Sequence, residues 1–390
     1  MNIDLKKLTL QYRQELVDNV IPFWEKKSID REYGGFLTCL DRKGNVYDTD
    51  KFIWLQARQV WTFAMLFNNV SENEKWLEIA ERGAHFLLKN GRDQTEKWYF
   101  AVTRHGSPIL APYSIFSDCF ATLAFSELYK ADKQEKHARI ASDTFRNILS
   151  RAGNPKGIFE KRITSTRNLK NFALPMILSG LALQIEPLLD SEYVNEIIEK
   201  CVEDVMNTFY DQDSGLILEN VNDDGTFSDT FEGRMINPGH AIEAMWFILD
   251  IAEKNGNKQL AENAVARLLR MLDYGWDQEY GGIFYFLDIK GHPPLHLEWD
   301  QKLWWVHIET LISLIKGYRF TGNEECLKWF MKVHEYTWSH FPDPVYGEWF
   351  GYLNRGGEVL LPLKGGKWKG CFHLPRGLYK ISETLKELQK

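Results

Sequence analysis

Along the chain, segments that are apolar on nearly every side alternate with segments that are apolar on one side only. The first kind comprises "FIWLQARQVWTFAMLF", "YSIFSDCFATLAFSELY", "NFALPMILSGLALQI", "INPGHAIEAMWFILD", "LWWVHIETLISLIKGY" and "FHLPRGLYKISETL". The second kind includes "NEKWLEIAERGAHFLLKN", "KQLAENAVARLLRMLDY" and the N-terminal "LKKLTLQYRQELVDNVIPFW". In both, apolar residues recur every three or four positions, so both read as helices. A helix apolar all round belongs inside a protein, and one with a single apolar face belongs outside. The chain opens with an outer helix, closes with an inner one, and supplies six of each.

Between the helix pairs a twelve-residue pattern returns. "YGGFLTCLDRKG" begins at 33, "SGLILENVNDDG" at 214, "YGGIFYFLDIKG" at 280 and "YGEWFGYLNRGG" at 346, and weaker copies begin at 95 ("TEKWYFAVTRHG") and 156 ("KGIFEKRITST"). Each of the four strong copies alternates as a strand and then turns through Asp or Asn, two residues and Gly, a hairpin whose Gly can take the left-handed conformation; the copy at 156 lacks the final Gly. Six copies at near-constant spacing mean six repeated units. The expected fold is all-α: an (α/α)6 barrel of twelve helices with short β-hairpins at one end. No linker or change of composition divides residues 1–390, which read as a single domain.

Composition narrows the function. A formal net charge of −7 argues against nucleic-acid binding or a basic membrane patch. No apolar run is long enough for a membrane span, and the N-terminus has no signal-peptide core. The five scattered cysteines (Cys39, Cys119, Cys201, Cys326 and Cys371) contain no CxxC and read as reduced thiols of a cytoplasmic protein. The surplus is aromatic, with 14 Trp, 16 Tyr and 24 Phe, the usual platform for the apolar face of a sugar.

Every inner helix starts just after a hairpin, at the same end of the barrel. Counted from the last Gly of its hairpin, Arg58 is 14 residues on, His240 is 15, His373 is 16 and Glu309 is 18. Four polar side chains from four repeats thus fall at similar depth near one mouth, a coincidence that independent core residues have no reason to produce. Trp54, Arg58 and Trp61 form one helical stripe facing the lumen, where an arginine between two indoles suits a polar ring-shaped ligand. Glu243 shares a face with His240, Trp305 shares one with Glu309, and Phe372 adjoins His373, which is expected on the rim. Trp54, Trp61, Glu243, Trp305 and Phe372 are the expected substrate-binding residues. The positive end of its helix is expected to keep His240 neutral. His292, His296, His307 and His334 show no such coincidence and read as structural or surface residues. Two histidines on separate helices are poor support for a metal, and no GxSxG, HExxH or strand-linked GxGxxG is present.

The blocks "YDTDKFIWLQARQVW", "SIFSDCF", "NPGHAIEAMWF", "LEWDQKLWWVHIE", "DPVYGEWFGYLNRGG" and "KGGKWKGCFHLPR" resemble the N-acylglucosamine 2-epimerase family, also called renin-binding proteins, from about residue 33 to 376. The resemblance implies an (α/α)6 barrel, commonly a homodimer, that interconverts N-acetylglucosamine and N-acetylmannosamine in carbohydrate and sialic acid metabolism. It matches the family's functional arginine to Arg58, its two histidines to His240 and His373, and its glutamate to Glu309. It also implies a response to ATP or related nucleotides, with no cofactor needed for the chemistry. The residues fit that chemistry. In an open-chain aldose, C2–H is α to the C1 aldehyde, so one imidazole can remove the proton and another can return one to the opposite face. Arg58 would stabilise the charge on the C1 oxygen, and Glu309 would orient a histidine or assist ring opening. Three rivals remain: an epimerase or isomerase of cellobiose, mannose or another unmodified sugar; a glycoside hydrolase, which needs two carboxylates about 5–10 Å apart; and a non-catalytic binding protein.

Overall fold

In the computed structural model, which describes residues 3–163 and 165–390, twelve long helices form two rings. The inner six are Ile53–Asn69, Phe116–Asp132, Ala173–Ile185, Pro238–Lys254, Trp304–Thr321 and His373–Glu387. The outer six are Leu5–Lys27, Glu74–Asn90, Glu135–Arg151, Ser191–Thr208, Lys258–Gly275 and Glu324–His340, the first and fourth containing a π-helical turn. The pattern of apolar positions sorts the two rings. Ile53–Asn69 buries every residue from Ile53 to Leu66. Glu74–Asn90 buries only the stripe through Trp76, Ile79, Ala80, Gly83, Ala84, Phe86 and Leu87. Each inner helix packs on its outer partner, and successive inner helices pack on one another. This is the expected (α/α)6 barrel.

The first outer helix is less regular than its periodicity predicts. Its Glu15–Val20 segment is a π-helical turn, and Pro22 just beyond it has no N–H to give the Asp18 carbonyl. The widened turn puts Glu15 and Asn19 against the last repeat: Trp349 Nε1 donates to Glu15 Oε1 at 2.7 Å, and Asn19 Oδ1 accepts from the Glu348 amide at 3.2 Å. The ring also closes where the Lys364 amide donates to the Leu40 carbonyl at 3.0 Å and Thr62 Oγ1 donates to the Cys371 carbonyl at 2.6 Å.

Five hairpins make the expected turn, the weaker copy at 95 included. Gly44, Gly106, Gly225, Gly291 and Gly357 all have positive φ, and each amide donates back three residues, as Gly44 does to Asp41 at 3.0 Å. The copy at 156 departs from expectation. Its described part is a short 3-10 turn, Gly157–Phe159, and Thr164 lies outside the described residues. The strand that follows, Leu169–Asn171, pairs with Asn220–Asn222 of the next copy.

A clamp between repeats accompanies three of the hairpins. Asp30, Asp277 and Asp343, each three residues before the hairpin tyrosine, meet the buried ammonium groups of Lys51, Lys302 and Lys364 at 2.9, 3.0 and 3.0 Å. Each also receives the guanidinium of an arginine from the following hairpin: Arg104, Arg355 and, across the ring closure, Arg42. All three arginines hold the tenth position of their copies. Burial pushes the Asp277 carboxyl up, but hydrogen bonds from Arg355 and Lys302 outweigh it and hold it at about 2. A carboxyl held below its unfolded value contributes stability above that value and loses it as the pH falls, so the barrel should weaken from about pH 4 down to pH 2. Asp277→Asn should cost about 3–5 kcal/mol, because Lys302 is left charged and buried without its partner. Urea unfolding at neutral pH checks this; a loss below about 1 kcal/mol, the scale of an exposed ion pair, would remove the clamp from the stability of the fold.

Candidate active site

The N-terminal turns of the inner helices surround a cavity of about 870 Å³. Local sequence sets two of those turns. The Asn237 side chain caps its helix by accepting from the His240 amide at 3.1 Å, with Pro238 at the first position. In the last repeat Phe372 is the non-helical residue before His373, which begins its helix. Arg58, His240, Glu243 and His373 line the cavity with Trp54, Trp61, Trp305 and Phe372. Of the expected site residues only Glu309 does not line it; its carboxylate lies fully buried behind His373.

Each histidine is held by a carboxylate. His373 Nδ1 lies 2.8 Å from Glu309 Oε1, and His240 Nδ1 lies 3.1 Å from both oxygens of Glu219. A carboxylate only accepts, so Nδ1 carries the proton in both rings and Nε2 is left as the free acid–base atom. Glu309 is held in turn by Trp246 Nε1, which donates at 2.9 Å. One indole, Trp305, has its centre 5.5 Å from the His240 ring and 5.7 Å from the His373 ring.

The environments of the two imidazoles differ, and two expectations change. His373 was expected on the rim, yet it is 8% exposed, because Trp304, Trp305 and Phe372 pack around its ring. Burial, and then the Arg58 charge, drive its pKa well below the ordinary value. His240 was expected to be kept neutral by its helix. Burial does favour the neutral form, but the Glu219 charge and hydrogen bond overcome it and raise the pKa. At neutral pH, therefore, His373 is a neutral imidazole and His240 is the more cationic of the two.

Two arginines complete the site. Arg376 Nη2 donates to Glu309 Oε1 at 2.6 Å and also contacts Glu243. Glu243, Glu309 and His373 are near enough to share a metal ion, but the Arg376 guanidinium already meets both carboxylates with positive charge. Arg58 has no such partner among the described residues. Its Nε is buried without a hydrogen bond among the described residues, and burial with the nearby Arg376 charge presses against its cation. Its guanidinium stacks on Phe120, Trp54 and Phe372 at 3.9, 4.3 and 4.7 Å. The expected flank of Trp54 and Trp61 is thus half right: Trp61 packs on Phe372, with ring centres 5.1 Å apart. An arginine cannot give up its proton, so the site presents a desolvated cation awaiting an anion.

His307 has the structural role expected of it, bonded to the Leu303 carbonyl and the Ile283 amide. Glu219, Arg376 and Phe120 were not found from sequence. Glu219 was signalled: it is the sixth residue of its copy, where the others hold Thr38, Phe100, Lys161, Tyr285 and Gly351. A carboxylate at a position that no other copy fills with an acid is a candidate partner for the histidine that follows. Glu219→Gln should lower turnover by about 100-fold, the scale of a lost acid–base contribution, and move the His240 limb of the pH profile to lower pH. Glu219→Asp should restore part of both; an unmoved limb would show that the carboxylate does not tune His240.

A lumen that sets two carboxylate-held imidazoles and a bare guanidinium among aromatic rings is built for acid–base chemistry on a polar ligand, and the relatives of the chain make it a sugar epimerase, an isomerase. A family model described as N-acylglucosamine 2-epimerase (GlcNAc 2-epimerase) matches residues 35–374, and the chain belongs to that family. The N-acylglucosamine 2-epimerase of Mus musculus is 40% identical over 381 residues, covering 95% of this chain and 90% of the relative. That of Homo sapiens is 36% identical over 397 residues, covering 98% and 92%. Among solved structures, the cellobiose 2-epimerase from Bacillus thermoamylovorans matches with a TM-score of 0.83 and 19% identity, covering 97% of this chain and 99% of that one, a likeness of fold.

Proposed function

We propose that the protein interconverts N-acetyl-D-glucosamine and N-acetyl-D-mannosamine by moving a proton at C2 between two histidines. The observation that carries this is the pair of imidazoles, each held at Nδ1 by its own glutamate and both beside Trp305 in one cavity. In the open-chain sugar, His373 Nε2 takes the C2 proton. The electron pair moves into the C1–C2 bond and the C1–O pair onto oxygen, where Arg58 meets the charge with a cation already desolvated. His240 Nε2 then donates a proton to C2 from the other face and C1=O re-forms. The reverse direction uses the same groups with roles exchanged. Glu309 and Glu219 are positioning residues, and the burial of Glu309 behind His373 argues against a part in ring opening.

The hydrolase reading loses support here, because Glu309 is buried in its dyad and Glu243 is held by Arg376. The proposal extends to a single domain over residues 1–390, a homodimer, a cytoplasmic setting, no cofactor for the chemistry, and a nucleotide as regulator only. Five buried free thiols are in keeping with a reducing compartment. No helix among the described residues is long and apolar enough to cross a membrane. Incubating the protein with N-acetylmannosamine, mannose and cellobiose in turn, and following C2 by NMR, tests the reading. N-acetylglucosamine should form from the first far faster than either other sugar reacts; the opposite order would assign the protein to unmodified sugars.

A further inference from the structure

The cavity is chemically two-sided. The Arg, His, Asp, Glu and Lys side chains that its inner helices contribute all come from Ile53–Asn69, Pro238–Lys254 and His373–Glu387. The facing arc, from Phe116–Asp132 and Ala173–Ile185, presents Cys119, Phe120, Leu123, Met176, Ile177 and Leu181, and its first polar side chain is Gln184 at the floor. A bare hexose has a hydroxyl or the carbonyl on every carbon and would leave those groups unpaired against such a wall, at a cost. The one apolar substituent of the proposed substrate is the carbon chain of its N-acyl group, attached at the reacting C2.

The cavity also continues below the reacting level, where Gln184, Asp250 and Lys380 line it. Lys380, which lines the same cavity, lies seven residues beyond His373 on one helix, about 10 Å further down the barrel axis. Gly180 shapes this lower chamber: a Cβ there would meet the Phe247 ring at 2.8 Å, so its absence lets that ring pack close against the neighbouring helix. The chamber is longer than an acetyl group.

We infer that the arc centred on Leu123, Ile177 and Leu181 is where the enzyme reads the N-acyl group, and that it admits acyl chains longer than acetyl. The inference rests on the proposed 2-epimerase reading and names the residues that set its acyl specificity. Wild-type protein, Ile177→Phe and Leu123→Phe should be assayed with N-acetyl-, N-propanoyl- and N-butanoyl-D-mannosamine and with mannose, with thermal melting to establish folding. The wild type should process the butanoyl sugar with kcat/KM within about tenfold of the acetyl sugar. Each Phe variant should lose at least about tenfold more on butanoyl than on acetyl, the scale on which an apolar pocket resolves a methylene or two. A folded variant that loses activity equally at every chain length places the acyl group elsewhere and overturns the inference. So does a wild type that turns over the acetyl sugar and rejects the propanoyl one, an arm that needs no variant to fold. Activity on mannose with none on any N-acyl sugar is a different failure: it overturns the 2-epimerase reading first, and the acyl wall with it.

Discussion

His240→Asn and His373→Asn should each abolish net epimerisation, yet each should still exchange the C2 proton of one epimer with solvent deuterium. Inversion needs a base on one face of C2 and an acid on the other; exchange with retention needs only one group that takes a proton and returns another to the same face. One variant should therefore label N-acetylmannosamine and the other N-acetylglucosamine, neither inverting its substrate. Loss of a general base costs about 100- to 10,000-fold, enough to separate residual inversion from exchange. The unequal environments add a second readout. His373, whose pKa burial and the Arg58 charge hold well below the ordinary value, is already neutral across pH 6–8, so exchange by His240→Asn should be flat there. His240, whose pKa Glu219 raises, must lose its proton to act as a base. Exchange by His373→Asn should therefore be slow at neutral pH and climb with rising pH. If either variant still epimerises at a tenth of the wild-type rate, its histidine only binds substrate and the two-base assignment fails. If both exchange rates share one pH profile, Glu219 does not set the asymmetry.

The parts of the site that sequence reveals, and those it hides, follow from how far each interaction reaches along the chain. The two rings were legible because all-round and one-sided apolar patterns are properties of single segments, and the hairpins because their Asp/Asn-x-x-Gly turn is local. Arg58, His240, Glu309 and His373 were legible because six-fold repetition turns position along the chain into depth in the barrel. What pairs with what was not. Glu219 reaches His240 across a strand, a loop and a helix start, and only its mismatch with Thr38, Phe100, Lys161, Tyr285 and Gly351 marked it. Arg376 follows His373 by three, a spacing that puts both on one face, but its partners Glu243 and Glu309 come from two other repeats, 133 and 67 residues away. The π-turn at Glu15–Val20 was hidden for a related reason: Pro22 marks the weak point, but the contacts of Glu15 and Asn19 with the last repeat that accompany it lie more than 300 residues away. The charge state of His240 was misjudged because a carboxylate in hydrogen-bond contact is a stronger influence than the helix end in whose first turn it lies.

Arg58→Lys should lower turnover by at least about 100-fold, on the scale of losing one donor aimed at a developing oxyanion, while the barrel still folds. Charge is conserved in this change, so whatever is lost belongs to shape and hydration. The guanidinium is planar and weakly hydrated and lies against Trp54, Phe120 and Phe372 at 4.3, 3.9 and 4.7 Å. An ammonium ion is compact and strongly hydrated and makes a poorer stacking partner. In the arginine enzyme the cation is already stripped of water, with its Nε unpartnered, so its attraction for the C1 oxygen is realised only as negative charge builds there. A lysine would recruit water or lose its proton under the same pressure from burial and from Arg376. The loss should fall mainly on kcat rather than KM, because the ground-state aldehyde carries little of the charge that Arg58 meets. Steady-state kinetics on the folded variant decide it. A rise in KM with kcat preserved would make Arg58 a substrate clamp, and near wild-type turnover would leave the C1 oxygen to another donor.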